Sequence, residues 1–317
     1  MDLPTIADVQ AAAERIRPWL RHTPVLTSSS LDAMTGSSLF FKCENLQKAG
    51  AFKARGATNA IFQLIDEQAA KGVATHSSGN HGAALAMAAS WRKIPAYVVM
   101  PENSSAVKIR AVEGYGGKVI FCAPNLSARE ETVARVLKET GAVYIPPFDH
   151  PHIVAGQGTA ALELLEQAKN LDVVLAPVGG GGLLSGTALA VKSLQPKIEV
   201  WGAEPANSND AFLSFQSGRI VSVQQAQTIA DGLRTSLGEI PFALICHHVS
   251  KVLTVSEEGI VTAMRLMWER MKVVVEPSGA VPLAVVLAHP EEFKGKRVGV
   301  IVSGGNVDLD KLPWVKQ

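Results

Sequence analysis

Four short segments of the 317-residue chain carry residue types that could do chemistry together. The first is Gly50-Ala51-Phe52-Lys53-Ala54-Arg55-Gly56-Ala57, where Lys53 sits among small and apolar neighbours. A lysine withdrawn from water loses part of its preference for the ammonium form, and the free amine is both nucleophile and base. A solvated surface lysine with apolar neighbours is the plainer reading of the same residues. The second segment is Gly179-Gly180-Gly181-Gly182-Leu183-Leu184-Ser185-Gly186. Consecutive glycines let bare backbone N–H groups close on an anion, and a following helix adds partial positive charge. No Gly-Lys-Ser/Thr follows, so this is not a P-loop. The third glycine of a G-x-G-x-x-G is missing as well, which leaves only Glu204 in favour of a dinucleotide. A tight turn also wants glycine, but four in a row exceed its needs. The third segment, Ser77-Ser78-Gly79-Asn80-His81-Gly82, suits a carboxylate and equally an ordinary helix N-cap. The fourth, Ser303-Gly304-Gly305-Asn306, offers a hydroxyl that could face a heterocycle nitrogen.

The surrounding pattern explains how such segments could meet. Strands are expected at Gly72–His76, Ala96–Met100, Lys118–Cys122, Val173–Val178, Val200–Ala203 and Val298–Val302. Helices are expected at Asn80–Trp91, Ala106–Tyr115, Ser127–Thr140, Thr159–Ala168, Leu183–Leu194, Glu258–Met271 and Ala280–Ala288. A Ser-x-x-Glu capping box (Ser127, Glu130) would open the third of these. Strands alternating with helices mean parallel sheets covered on both faces, an α/β fold. Two sheets are expected, in a small domain of residues 72–149 and a large domain of 1–71 plus 150–317. Ligands of open α/β sheets bind beyond the carboxyl ends of strands, which is where the glycine-rich and serine-rich turns fall.

Taken in order, the lysine, Ser-Ser-Gly-Asn-His-Gly, the glycine tetrad and the terminal Ser-Gly-Gly-Asn resemble the fold-type II pyridoxal 5'-phosphate (PLP) enzymes, whose architecture is that of the tryptophan synthase β chain. Within them the chain is most similar to serine/threonine dehydratases, serine racemases and 3-hydroxyaspartate dehydratases. His22-Thr23-Pro24-Val25, Lys42–Gln47, Gly156–Thr159, Ala203-Glu204-Pro205 and Glu276–Gly279 extend the resemblance over essentially the whole chain. It implies that Lys53 holds the cofactor as an imine and then acts as the base at Cα. It implies that Gly179, Gly180, Gly181, Gly182 and Leu183 bind the phosphate, that Asn80 bonds the pyridine 3-hydroxyl, and that Ser303 faces the ring nitrogen. Phe52 would pack by the ring, and Ser77, Ser78, Asn80 and His81 would hold the substrate carboxylate, largely through backbone N–H groups. Ser78 matches the racemases' second base, on the opposite face of the ring.

The nature of Ser303 narrows the reaction. A neutral hydroxyl does not keep the ring nitrogen protonated, so the ring is a weaker electron sink, which favours quick departure of a β-substituent over transamination. The expected reaction is dehydration and deamination of L-serine or L-threonine to a 2-oxo acid and ammonia, with serine racemisation permitted by Ser78. A 3-hydroxyaspartate ammonia-lyase is the enzymatic alternative, and an inactive binding protein on the same scaffold is the alternative of another class. Glu204, Ser208 and Asp210 match a racemase-like divalent-cation site, and oxygen-only ligation suits Mg²⁺, Ca²⁺ or Mn²⁺; a solvated acidic loop is the plainer reading. Ser28, Ser29, Lys48, Tyr115, Lys272 and Asn306 match a nucleotide effector site, but Ala49 and Ala83 replace a threonine and a glutamine of it. Ala51 replaces a frequent serine, and Phe148 is more like the threonine dehydratases.

Composition excludes several other classes. With 47% hydrophobic and 19% charged residues the chain has the make-up of a soluble globular protein. A net charge of +1 with scattered Lys and Arg argues against a nucleic-acid partner. No apolar run approaches the roughly 18 residues that cross a bilayer. Cys43, Cys122 and Cys246 are too few and too scattered for a disulfide framework. The N-terminus shows no export leader, so a cytoplasmic protein is expected, as a homodimer by resemblance.

Overall fold

The computed structural model describes residues 2–77, 79–222 and 226–315. Among the described residues ten strands form two sheets. They are β1 (Val25–Leu26), β2 (Ser38–Cys43), β3 (Val73–His76), β4 (Ala96–Pro101), β5 (Lys118–Cys122), β6 (Val143–Tyr144), β7 (Val173–Pro177), β8 (Glu199–Pro205), β9 (Lys251–Val255) and β10 (Arg297–Val302). The six-stranded sheet runs β1-β2-β10-β7-β8-β9, and the four-stranded sheet β5-β4-β3-β6. All neighbours are parallel except the short β1, which runs antiparallel to β2. Strands buried on both faces read as continuous apolar runs, and β7 is buried along its whole length.

Helices cover the sheets. Pro151–Gln167 and Gly182–Leu194 pack on one face of the larger sheet and Pro277–Ala288 on the other, each contributing to an apolar core with it. Asn80–Arg92 covers the smaller sheet. Helix Pro151–Gln167 begins eight residues before the expected Thr159, and its glycines explain the difference. A Cβ on Gly156 would stand 2.6 Å from the Gly56 Cα, and one on Gly158 would stand 2.8 Å from the Gly186 carbonyl. Residues that look like breakers are the points where three helices touch backbone to backbone. Helix Leu126–Thr140 is not opened by a Ser127/Glu130 box: Asn125 is the N-cap and accepts from the Ala128 N–H at 2.8 Å, while Ser127 Oγ donates to Glu131 at 2.6 Å. The expected helix Glu258–Met271 is a helix Glu257–Leu266 that widens into a π-type turn over Met267–Met271.

The register brings the informative turns to the carboxyl ends of strands. Val302 pairs with Cys43, so Ser303 emerges beside Glu44. Pro177 pairs with Ala203, so the glycine tetrad leaves β7 beside Glu204. β3 ends at His76, immediately before Ser77.

Candidate active site

Lys53 is the first residue of helix Lys53–Phe62, and the chain before it is held by the turn after β10. Phe52 N–H donates to the Ser303 carbonyl at 3.0 Å, Gly305 N–H to the Gly50 carbonyl at 2.9 Å, and Ala51 bridges Gly304. Two segments some 250 positions apart in sequence thus form one short ribbon. Lys53 Nζ lies 5.1 Å from the centre of the Phe52 ring and donates to the Pro147 carbonyl at 2.6 Å. No carboxylate pairs with it among the described residues. Burial without a counter-charge lowers its pKa from 10.5 to about 8, so about a tenth of the amine is free at pH 7, far more than for a solvated lysine.

The serine-rich turn supplies donors. Ser77 Oγ accepts from Gly79 N–H at 3.2 Å and Gly82 N–H at 3.1 Å, fixing the turn into helix Asn80–Arg92. The N–H groups of Asn80 and His81 have no acceptor among the described residues and stand at the positive end of that helix. The His81 ring turns into the core, where Nε2 donates to the Ile145 carbonyl at 3.1 Å; Nδ1 is therefore the bare nitrogen and has no partner among the described residues. Burial first, and the nearby Lys53 charge second, lower the His81 pKa to about 3, so the ring is neutral. Ser78, the candidate second base, lies outside the described residues.

A residue whose role the motif reading did not assign holds Asn80 in place. Glu276 Oε1 accepts from Asn80 Nδ2 at 2.8 Å, and Asn306 Nδ2 donates to Asn80 Oδ1 at 3.0 Å and to the Ala49 carbonyl at 2.7 Å. The Asn80 amide is thereby fixed in orientation. Glu276 is buried with Oε2 unpartnered among the described residues, and burial, then the Asp231 charge, raise its pKa to about 7. Its place in Glu276-Pro277-Ser278-Gly279, at the start of a helix, was the available signal.

The glycine tetrad opens helix Gly182–Leu194. Gly181 has φ +86°, which an L side chain rarely adopts, and its neighbours leave no room for one: a Cβ on Gly179 would lie 2.9 Å from Leu233 Cα, and one on Gly180 would enter the Phe148 ring. The N–H groups of Gly179, Gly180, Gly181, Gly182 and Leu183 are buried and find no acceptor among the described residues. Phe148 belongs to a strap with four attachments. Pro147 takes the Lys53 hydrogen bond, Phe148 covers the tetrad, Asp149 accepts from Glu239 and Ile240 N–H at 3.1 and 3.0 Å, and His150 Nδ1 accepts from His152 N–H at 3.1 Å.

Beyond β8 the acidic loop is buried. Glu204 accepts N–H bonds from Ala211 (2.9 Å) and Phe212 (2.8 Å), so its carboxylate closes the start of helix Asp210–Ser217. Ser208 Oγ donates to the Leu233 carbonyl at 3.1 Å, and Asp210 Oδ2 is buried without a partner among the described residues. Burial raises Glu204 to about 8 and Asp210 to about 7. Among the described residues no group of three or more His, Cys, Asp or Glu converges as a metal cluster.

Residues 16–304 match the family described as "Pyridoxal-phosphate dependent enzyme". The chain belongs to this family. It is 53% identical to the beta-hydroxyaspartate dehydratase of Paracoccus denitrificans, over 99% of this chain and 100% of that protein. It is 50% identical to the serine racemase of Arabidopsis thaliana, over 97% and 94% of the two chains. The structure of maize serine racemase superposes with a TM-score of 0.95 at 46% identity, covering 98% of this chain and 95% of that one. The expected α/β architecture and the family resemblance are both borne out.

The residues of this PLP-dependent enzyme fit the cofactor. A dianionic phosphate needs several N–H donors, and the tetrad presents a run of buried ones with no acceptor of their own. An imine-forming lysine must be unprotonated to react, and lowering the Lys53 pKa to about 8 raises its free-amine fraction well above that of a solvated lysine. Ser303 is buried beside the same ribbon, and its side chain makes no hydrogen bond among the described residues. All three cysteines are free, and no described helix is long and apolar enough to cross a membrane.

Proposed function

We propose that the protein eliminates water from a 2-amino-3-hydroxy acid, L-serine or L-threonine, releasing a 2-oxo acid and ammonia. The observation that carries this reading is Lys53: an amine with a pKa near 8, beside a glycine cradle of unpaired N–H groups and a serine-lined turn with two more. When bound, the cofactor would withdraw electrons from Cα. The Gly179–Leu183 N–H groups and the start of helix Gly182–Leu194 would hold its phosphate. Asn80, fixed by Glu276 and Asn306, would meet the 3-hydroxyl, and Ser303 the ring nitrogen, with Phe52 at the ring. Backbone N–H groups of Asn80 and His81, with Ser77 and Ser78 around them, would hold the substrate carboxylate. Lys53 would take the Cα proton and stand ready to return it to the departing hydroxyl. Phe148 would keep water from the phosphate side.

Racemisation requires a second base on the other face, the role proposed for Ser78. Ser78→Ala should abolish D-serine formation and spare part of the ammonia release. A second substrate reading, 3-hydroxyaspartate, is favoured by the name of the relative at 53% identity. The deciding experiment measures ammonia and 2-oxo acid from L-serine, L-threonine and each 3-hydroxyaspartate isomer, with borohydride trapping of the cofactor on Lys53. Absence of both turnover and a trapped adduct would overturn the proposal.

Glu204 and Asp210, with carbonyl oxygens of the Ser208 loop and water, are proposed to take Mg²⁺ or a similar cation. Two buried carboxylates with no cationic partner, one with an unpartnered oxygen, support this. Mg²⁺ binding to chelated protein by calorimetry should vanish in Asp210→Asn. A homodimer, a cytoplasmic setting and the two-domain division (72–149 against the rest) are further proposals. The separate four-stranded sheet of β3 to β6 supports the last.

A further inference from the structure

A substrate with a second carboxylate needs a cation near the carboxylate-binding turn, and the serine-rich turn itself contains none. One stands beside it. Lys108, on helix Ala106–Gly114, reaches Gly79: a Cβ at that glycine would lie 3.4 Å from the Lys108 Nζ. The glycine thus lets the ammonium approach the turn. Lys108 pairs with Asp231, in the short turn Asp231–Leu233 whose Leu233 backs the glycine tetrad. The pair therefore links the helix beside the serine-rich turn to the segment that backs the cradle. Both charges lie close enough to Glu276, the partner of Asn80, to act on its carboxyl: Asp231 raises its pKa and Lys108 lowers it. The two partners differ in exposure: the Lys108 side chain is 13% exposed and that of Asp231 is 43%. Asp231 can turn out to water at little cost, whereas the ammonium is held.

We propose that Lys108 is the specificity-determining residue for the substrate side chain, exchanging Asp231 for the β-carboxylate of a 2-amino-3-hydroxy dicarboxylic acid. The inference rests on the elimination proposed above and assigns its substrate class. With serine or threonine, the Lys108–Asp231 pair stays closed over a neutral side chain. With 3-hydroxyaspartate, the β-carboxylate takes the ammonium and Asp231 swings into solvent. No charge is then left buried without a partner, which is the costly alternative. Asp231 also disfavours a dicarboxylate until it moves, so the pair sets a balance between the two substrate types.

The geometry offers one competing cation. Arg129, on helix Leu126–Thr140, has a buried Nε without a partner and lies near His76 and Cys122 at the carboxyl edge of the smaller sheet. Steady-state kinetics on holoenzyme separate the two. In Lys108→Gln the ratio of kcat/KM for 3-hydroxyaspartate to that for L-serine should fall by about a hundredfold, chiefly through KM. Lys108→Arg should recover most of it, and Asp231→Asn should raise the ratio several-fold. The visible absorbance of the bound cofactor reports that each variant retains a formed site. An equal loss on both substrates, a selective loss in Arg129→Gln but not in Lys108→Gln, or a wild type that consumes serine but no 3-hydroxyaspartate isomer overturns the Lys108 assignment alone. A wild type inactive on every hydroxy-amino acid overturns the elimination reading, and this inference with it.

Discussion

Lys53 and Arg55 are two residues apart on one helix and have opposite fates. Positions i and i+2 point to nearly opposite sides of a helix. Lys53 faces the cleft, with a backbone carbonyl as its hydrogen-bond partner and a pKa drawn down to about 8. Arg55 faces the interior, where burial is outweighed by carboxylates that hold its guanidinium above its ordinary range. It donates to both oxygens of Glu44 at 2.7 and 2.8 Å and to both of Glu163 at 2.7 and 2.8 Å. Lys42, buried on β2, completes the network with Glu163 at 2.6 Å, the Thr23 carbonyl at 2.7 Å and Gln167 at 3.0 Å. A buried charge with its hydrogen bonds satisfied is fixed and inert, whereas one without a counter-charge is poised to lose its proton. The same helix anchors the structure with one cation and offers chemistry with the other.

Exchanging these fates tests the contrast. The largest effect is expected for Lys53→Ala: turnover should drop by about four orders of magnitude or more, with little fall in thermal midpoint, because the buried amine removed has no counter-charge and a single hydrogen bond, to Pro147. Arg55→Met should do the reverse. It leaves Glu44 and Glu163 buried without their partner and should cost about 3–5 kcal/mol in denaturant unfolding. Glu276 belongs with Lys53 as a group without a counter-charge. Its folded pKa of about 7 exceeds the ordinary 4.5, so the stability it lends is full below pH 4.5 and is lost as pH rises through 7. Glu276→Gln should therefore be more stable than wild type by about 3 kcal/mol at pH 8 and equal to it near pH 4, as read by unfolding curves at both pH values. The capture of added PLP by apoprotein, followed by absorbance, should accelerate as pH rises, with a midpoint near 8 rather than 10.5. Smallest of all, ATP should leave ammonia release unchanged, because Ala49 and Ala83 lack polar side chains.

Much of this arrangement was legible in sequence. β3, β4, β5, β7 and β10 fall within a residue or two of the expected strands, because their apolar runs are bounded by glycine, proline or serine turns. β2 escaped because Ser38-Leu39-Phe40-Phe41-Lys42-Cys43 contains a lysine where a buried strand should be apolar, and its bonds to Glu163, the Thr23 carbonyl and Gln167 make that burial tolerable. Helix Pro151–Gln167 looked too short because glycines weaken helices in isolation, while here they admit neighbouring backbones. The four chemical segments were found from their residue types. Arg55, the Asn80 grip of Glu276 and the reach of Lys108 were not, because each depends on contacts between residues far apart in sequence, and no local pattern encodes them.

The place of β10 in the larger sheet has a consequence for how the enzyme is made. It is the last strand in sequence, yet it lies between β2 and β7, and the residue after it is Ser303. While the chain is being synthesised, β2 and β7 have no strand between them, and the ribbon that sets Lys53 in place has no partner. Such long-range pairing is slow to form and leaves open sheet edges exposed in the meantime. Cofactor capture therefore reports synthesis through Ser303, and a fragment released before Arg297 presents two unsatisfied edges to its neighbours instead of a catalyst.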